Sequence, residues 1–231
     1  MKRFDMQQGS AEWRLARAGV PTASSFHRII TPKTGKPSEQ AKAYLHELLA
    51  EIMLGRPLDS PSYPWMSRGL ELEEDAANWY EFERDVEIET VGFCTTDDGR
   101  FGASPDRLVG EDGELELKCP SPAVHLGYLL YPQQGVDAVY KCQVQGQLLV
   151  TERKWADVVS YHPELPKVIV RVNRDEDYIA LMRAALDDFC AKLAEGKAEL
   201  ERRGLLATSD SSERKESLST SDAINQFLRG T

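Results

Sequence analysis

Two short runs of the chain carry the residue types of a hydrolytic site. They are Ser104–Pro105–Asp106 and, after a nine-residue gap, Glu116–Leu117–Lys118. Alternate residues of a strand share a face, so Glu116 and Lys118 point the same way and Leu117 points into core. Asp106 is expected on the preceding strand. A hairpin whose loop is centred on Glu111 sets Asp106 opposite Glu116, and one residue more or less in that loop turns the face over. In the favourable register two carboxylates and an ammonium converge. Carboxylates so close raise each other's pKa unless a cation is present. Mg²⁺, a hard ion that takes oxygen ligands and keeps several waters, answers that need. Asp106, Glu116 and the Leu117 backbone carbonyl would supply the protein side of its shell. Lys118 would hold an attacking water and offset charge developing on a phosphate, and a second ion about 3.5–4 Å away would stabilise the leaving oxygen. Mn²⁺ favours the same oxygen donors. The spacing alone also fits an ordinary surface hairpin with a solvated Glu116–Lys118 pair.

The elements that must position these residues can be read from periodicity. Ser10 can cap a helix carrying Trp13, Leu15 and Arg17. A short helix is expected near Thr22–Ser24, carrying Phe26, Ile29 and Ile30, followed by a loop over 31–37. Ser38 is expected to cap a longer helix through Tyr44, Leu48 and Ile52 that ends at Gly55. Another helix runs from about Met66–Gly69 to Tyr80. Strands are expected over 86–95, 101–109 and 114–119, the last stopped by Pro120 and Pro122. Helices over 123–131 and 137–151 come next, then strands over 155–161 and 167–173. A long amphipathic helix from Asp175 to Arg203 places Tyr178, Leu181, Met182, Ala185, Phe189 and Leu193 on one side. Helices around a run of strands predict an α/β or α+β sheet flanked by helices.

Composition sets the limits. The 231 residues suit a single domain, expected over 1–204, with a serine-rich tail over 205–231 that is flexible or forms a short helix. Lys+Arg total 28 and Asp+Glu 38, a formal charge of −10. That argues against coating nucleic acid by bulk charge while leaving room for a local basic channel. No apolar run is long enough to span a bilayer, and no signal peptide is visible at the N-terminus. The four cysteines are irregularly spaced and read as reduced thiols in a cytosol.

Five segments follow one another along the chain: Glu12–Trp13–Arg14 with Arg17, Gly19 and Thr22–Ala23–Ser24; Gly69–Leu70–Glu71–Leu72–Glu73; Ser104–Pro105–Asp106; Leu115–Glu116–Leu117–Lys118–Cys119–Pro120; and Tyr140–Lys141–Cys142–Gln143–Val144–Gln145. In these segments and their order the chain resembles the lambda-exonuclease type (YqaJ-like phage recombination nucleases) of the PD-(D/E)XK nucleases. The resemblance implies a restriction-endonuclease-like core with a central mixed sheet flanked by helices. It implies a Mg²⁺-dependent 5′-to-3′ exonuclease that digests one strand of linear duplex DNA to mononucleotides and leaves 3′ overhangs. Asp106 and Glu116 become metal ligands and Lys118 the catalytic lysine. Glu73 is a further acidic residue at the ions, and Gln143 positions Lys118 or the nucleophile. Arg17, Ser24 and Ser104 form a pocket for the 5′-phosphate, as an arginine fork with hydroxyl donors suits a terminal phosphate. Met66 matches an apolar wedge at the duplex end, and Lys33 and Lys36 face the duplex backbone. A homotrimer around DNA, a single-strand annealing partner, and a phage or prophage origin in a bacterial cytoplasm are likewise implied. The chain departs from the wider superfamily at one point: Gln147 stands four residues after Gln143, where many members carry tyrosine. An internally cutting endonuclease of the same superfamily and a non-catalytic DNA-end-binding module are the alternatives.

Overall fold

The computed structural model describes residues 1–58 and 64–206, the side chains of 64–71 and 138 excepted. The sequence-predicted tail lies outside the described residues from position 207 onward, as does the Met66 side chain.

A five-stranded mixed sheet forms the centre, in the order β2 (Ile88–Thr90), β5 (Arg107–Val109), β6 (Gly113–Lys118), β7 (Trp155–Ser160) and β8 (Val168–Asn173). All neighbours are antiparallel except β6 and β7. Parallel neighbours need a crossover connection. Here α4 (Pro122–Leu130), α5 (Pro132–Val139) and α6 (Lys141–Thr151) provide it. Both faces of the sheet are covered. Leu108, Ala156, Val158, Val170 and Val172 pack in one core with Val144, Leu148 and Leu149 of α6 and with α7 (Glu176–Arg202). Val109, Leu115, Leu117 and Val159 pack in a second core against Ala76, Ala77 and Tyr80 of α3 (Pro64–Arg84). The period-two alternation of ELELK in β6 therefore splits into Glu114, Glu116 and Lys118 on the α6 side and Leu115 and Leu117 on the α3 side.

The remaining elements build a flank. A small sheet of β1 (Lys2–Phe4), β3 (Phe93–Thr95) and β4 (Gly102–Ala103) lies beside α1 (Ala11–Arg17), a 3₁₀ turn over Ala23–Arg28, and α2 (Ala41–Leu54). Ser10 caps α1 by accepting from Trp13 N at 3.1 Å, and Asp175 caps α7 by accepting from Tyr178 N at 3.0 Å. Among the described residues no helix is long and apolar enough to cross a membrane.

Several expected elements are corrected. The strand over 86–95 divides into β2 and β3, which join different sheets. The break falls at Val91–Gly92, where a Cβ on Gly92 would stand 2.4 Å from the Met6 carbonyl and 2.6 Å from that of Phe4. The N-terminal segment passes that closely. The segment over 101–109 divides likewise into β4 and β5, and Ser104–Pro105–Asp106 is the irregular link between them, so Asp106 precedes a strand rather than lying on it. The helix over 137–151 is two helices that meet at Tyr140, whose ψ of −7° interrupts the α-helical path. Ser38 does not cap α2, which begins at Ala41 with Gln40 before it. Leu181 on α7 is 54% exposed rather than core.

Candidate active site

The register of the β5–β6 hairpin decides whether the acidic residues meet. Arg107 pairs with Leu115, Leu108 with Glu114 and Val109 with Gly113. The turn is therefore Gly110–Glu111–Asp112, centred on Glu111, and Gly110 takes the positive φ of 52° it needs. Carried on by one position, this register sets Asp106 opposite Glu116. Arg153 fastens the turn, its Nη1 donating to the Gly110 carbonyl at 2.8 Å and to that of Gly113 at 2.6 Å.

Asp106 Oδ2 accepts from the Leu117 N–H at 2.6 Å. The N–H and C=O of a strand residue face the same edge, so the Leu117 carbonyl faces Asp106 too. The residue opposite Leu117 in this register is Pro105, which has no N–H to give that carbonyl. A backbone oxygen beside a carboxylate is the arrangement a hard cation uses.

Helix α6 matches β6 side chain for side chain. Four residues of helix rise about 6 Å and two residues of strand about 6.7 Å, so residues 143, 147 and 151 keep step with the polar face of β6. The Lys118 ammonium lies 4.9 Å from the Tyr140 ring centre. Gln143 Nε2 donates to Glu116 Oε1 at 2.5 Å and Gln147 Nε2 to Glu116 Oε2 at 2.6 Å. Thr151 Oγ1 donates to Glu114 Oε1. Lys118 Nζ donates to Glu116 Oε1. Gln143 thus bonds Glu116, and it meets Lys118 only through their common oxygen.

Glu73 comes from α3 and lines the same cleft of about 930 Å³ as Asp106, Leu117, Lys118 and Trp13. Arg107 lies beside it, Nη1 3.7 Å from Glu73 Oε1 and Nη2 2.7 Å from Glu74 Oε2, while also donating to the Asp106 carbonyl at 2.8 Å. Glu73 is therefore partnered rather than a freely solvated carboxylate.

The electrostatics follow from this crowding. Burial and the neighbouring Glu116 charge push the Asp106 carboxyl well above the usual carboxylate range, against the pull of Lys118. Burial raises Glu73 as well, opposed mainly by Arg107. Burial disfavours the Lys118 ammonium, yet the charges of Glu116 and Asp106 outweigh it and hold the lysine above its ordinary value. Three carboxylates face one ammonium and one guanidinium, and a divalent cation would relieve them. The donors are hard oxygens, which fit Mg²⁺ or Mn²⁺. Among the described residues no three carboxylate, imidazole or thiol side chains already close on one point. A small protein donor set suits an ion that keeps several waters, and the Lys118 ammonium stands on Glu116 where such an ion would compete.

The second group of predicted residues is assembled beside this cleft. Arg17 Nη1 donates to Ser104 Oγ at 3.1 Å, and Nη2 donates to Thr22 Oγ1 at 3.2 Å and Ser24 Oγ at 3.4 Å. The guanidinium stacks 4.2 Å from the Trp13 ring centre. Its partners are neutral hydroxyls, and burial draws its pKa down to about 10. Ser104 Oγ also accepts from Trp13 Nε1 at 3.0 Å. With two N–H groups donating to it, the Ser104 hydroxyl has its own proton left to donate. A guanidinium hydrogen-bonded to neutral hydroxyls, with the Glu51 carboxylate acting on it through space, and a hydroxyl proton seeking an acceptor suit an anion. Arg17, Thr22 and Trp13 line a neighbouring cavity of about 660 Å³, to which Glu47 and Glu51 also contribute, and Trp13 lines the cleft of Asp106 as well.

The sequence reading missed Thr22 as a partner of Arg17, Arg107 as the cation beside Glu73, and Gln147 and Thr151 as bonds to the β6 carboxylates. The i, i+4, i+8 spacing of Gln143, Gln147 and Thr151 was the available signal.

The YqaJ-like viral recombinase domain family matches residues 12–154. An alkaline exonuclease from Laribacter hongkongensis (LHK-Exo) superposes with a TM-score of 0.75 and 32% identity, covering 84% of this chain and 98% of that one, and its complex with dAMP aligns equally well. A phage-related exonuclease from Haemophilus somnus 129PT shares the fold, with a TM-score of 0.59 and 20% identity over 76% of this chain and 95% of that one. No curated protein matches the sequence. The core is that of the PD-(D/E)XK nucleases, and the chain belongs to the YqaJ-like, lambda-exonuclease-type family.

Proposed function

We propose that the chain is a metal-dependent 5′-to-3′ exonuclease that digests one strand of linear duplex DNA to mononucleotides and leaves 3′ single-stranded overhangs. Membership of a family whose solved relatives are exonucleases supports the nuclease part of this reading. One observation carries the polarity: Ser104 belongs to the Arg17 anion pocket and lies two residues from Asp106 at the acidic cleft. A 5′-phosphate held by Arg17, Ser24 and Ser104 brings the adjoining phosphodiester to Asp106 and Glu116.

One or two Mg²⁺ ions, or Mn²⁺, held by Asp106, Glu116 and the Leu117 carbonyl would supply Lewis-acid stabilisation of the scissile phosphate. The chain's own residues do the rest. Arg17 neutralises the terminal phosphate, and the Ser104 hydroxyl donates to it. Lys118 places its ammonium between the Glu116 carboxylate and the cleft, where it orients a water and offsets charge growing on the phosphate. Gln143 holds Glu116 Oε1, and Arg107 keeps Glu73 facing the cleft. A homotrimer around the duplex, an annealing partner for the overhang, and a phage or prophage origin in a bacterial cytoplasm complete the reading; an acidic exterior around a basic channel is compatible with the net charge of −10.

The test uses a linear duplex labelled separately at each 5′ and 3′ terminus, with Mg²⁺ or EDTA, and with 5′-phosphate or 5′-hydroxyl ends. Early release of the 5′ label as mononucleotide, with the 3′ label retained and the phosphate end preferred, is the expected result. Internal fragments would make the chain an endonuclease. Binding without metal-dependent cleavage would make it an end-binding module.

A further inference from the structure

We infer that Gln147 is a positioning residue that sets the affinity of the acidic cleft for its divalent cation, an inference resting on the metal reading above. Gln147 is 2% exposed, on a stretch of α6 otherwise packed with Val144, Leu148 and Leu149. Burying an amide among apolar side chains is unfavourable unless its hydrogen bonds are made. Its Nε2 makes one to Glu116 Oε2 at 2.6 Å.

The consequence lies in the carboxylate. The last torsion of a glutamate is broad and roughly two-fold, so the rotamer alone does not fix where its oxygens point. Glu116 is buried at 2% exposure, and Gln147 takes its Oε2. Oε1 is thereby turned toward Lys118 and Gln143, which both donate to it. Gln143 and Lys118 reach the oxygen at the cleft; Gln147 comes from behind and reaches the other. The Gln147 backbone carbonyl also accepts from Thr151 Oγ1 at 3.0 Å, the hydroxyl that donates to Glu114. The amide therefore belongs to a fixed row rather than a movable side chain. Groups that orient a metal-binding carboxylate from behind typically control affinity by about 10–100-fold.

The experiment measures Mn²⁺ binding to the full chain without DNA, by the electron paramagnetic resonance signal of free Mn²⁺, for wild type, Gln147→Met and Gln147→Asn. Methionine keeps the volume and removes the donor. Asparagine keeps an amide and draws it back by one methylene. Gln147→Met is expected to weaken Mn²⁺ binding about 10–100-fold and, by leaving the buried Glu116 Oε2 without this donor, to lower the melting midpoint in EDTA as well. The Mg²⁺ concentration giving half-maximal nuclease rate should rise in parallel, excess Mg²⁺ should restore the rate, and KM for DNA should stay unchanged. A purely structural role would lower the midpoint and leave the Mn²⁺ titration in place. A folded Gln147→Met that binds Mn²⁺ as tightly as wild type overturns the inference while leaving the metal reading standing. If Gln147→Met does not fold, Gln147→Asn is judged by the same comparison. A wild-type chain that takes up no Mn²⁺ overturns the metal reading and this inference together.

Discussion

Replacing Arg17 by alanine should erase the preference for a 5′-phosphate end while leaving the metal cleft intact. The guanidinium carries five N–H donors in a fixed fork. In the structure three hydroxyls, those of Ser104, Thr22 and Ser24, take donors from it, so at least two N–H groups remain for an anion. Hydrogen bonds to charged groups are worth about 1.5–3 kcal/mol each. Two of them give about 3–6 kcal/mol, or roughly a 10²–10⁴-fold preference at about 1.4 kcal/mol per decade. Fold stability should change little, because two effects oppose. Arg17→Ala removes the stacking on Trp13, worth about 0.5–2 kcal/mol, and it also removes a buried charge whose partners are neutral, the burial that draws its pKa down to about 10. The assay is single-turnover degradation of duplexes that differ only in the 5′ group, at one stated salt concentration, since phosphate contacts make affinity fall steeply with ionic strength. The Arg17→Ala ratio of rates should approach unity with Mn²⁺ binding unchanged. A variant that keeps the wild-type ratio to within about tenfold, less than the loss of two such bonds allows, would refute the assignment of this pocket to the terminal phosphate.

Asp106→Ala deletes a carboxylate that the other acids disfavour, so the chain should fold and lose metal-dependent cleavage; a variant with a tenth or more of the wild-type rate removes Asp106 from the metal site. Glu114 is 1% exposed, its Oε2 has no hydrogen-bond partner among the described residues, and burial pushes its pKa up to about 8. Its folded-state pKa exceeds the unfolded one, so folded protein holds the proton more tightly and stability should fall as pH rises from about 4.5 to about 8. Glu114→Gln should flatten that slope and raise stability at pH 8, measured by urea unfolding in EDTA across the range; parallel wild-type and variant profiles would count against it. Gly92→Ala places a Cβ against the carbonyls of Met6 and Phe4 at 2.4 and 2.6 Å and should cost about 1–3 kcal/mol or more. The same change should weaken the Trp13 Nε1 bond to the Gly92 carbonyl, 3.1 Å in the wild type. A thermal midpoint equal to wild type would show that β1 yields freely.

How far the site was legible depends on how local each part is. The D-x₉-ExK spacing carries its own geometry: alternation in a strand puts Glu116 with Lys118, and a loop centred on Glu111 puts Asp106 opposite them. The structure has that register. Arg17, Thr22 and Ser24 are neighbours in sequence, yet Ser104 joins them from 87 residues beyond Arg17. Its presence was readable only through the resemblance.

Composition, periodicity and motif order by themselves determined the fold class, most element positions, and the residue types at the acidic cleft, because strand and helix periods are properties of a few consecutive residues. Tertiary structure alone decided where those elements break and what stands behind the carboxylates. Gly92 parts β2 from β3 because Met6 and Phe4 approach from the far end of the chain. Gln147 and Thr151 become partners of Glu116 and Glu114 only when a helix about 30 residues downstream lies along β6 in matching step. Arg107 acquires Glu73 and Glu74 only once α3 crosses the sheet. These are long-range pairings, fixed by how the layers close over one another, and no window of sequence contains both members.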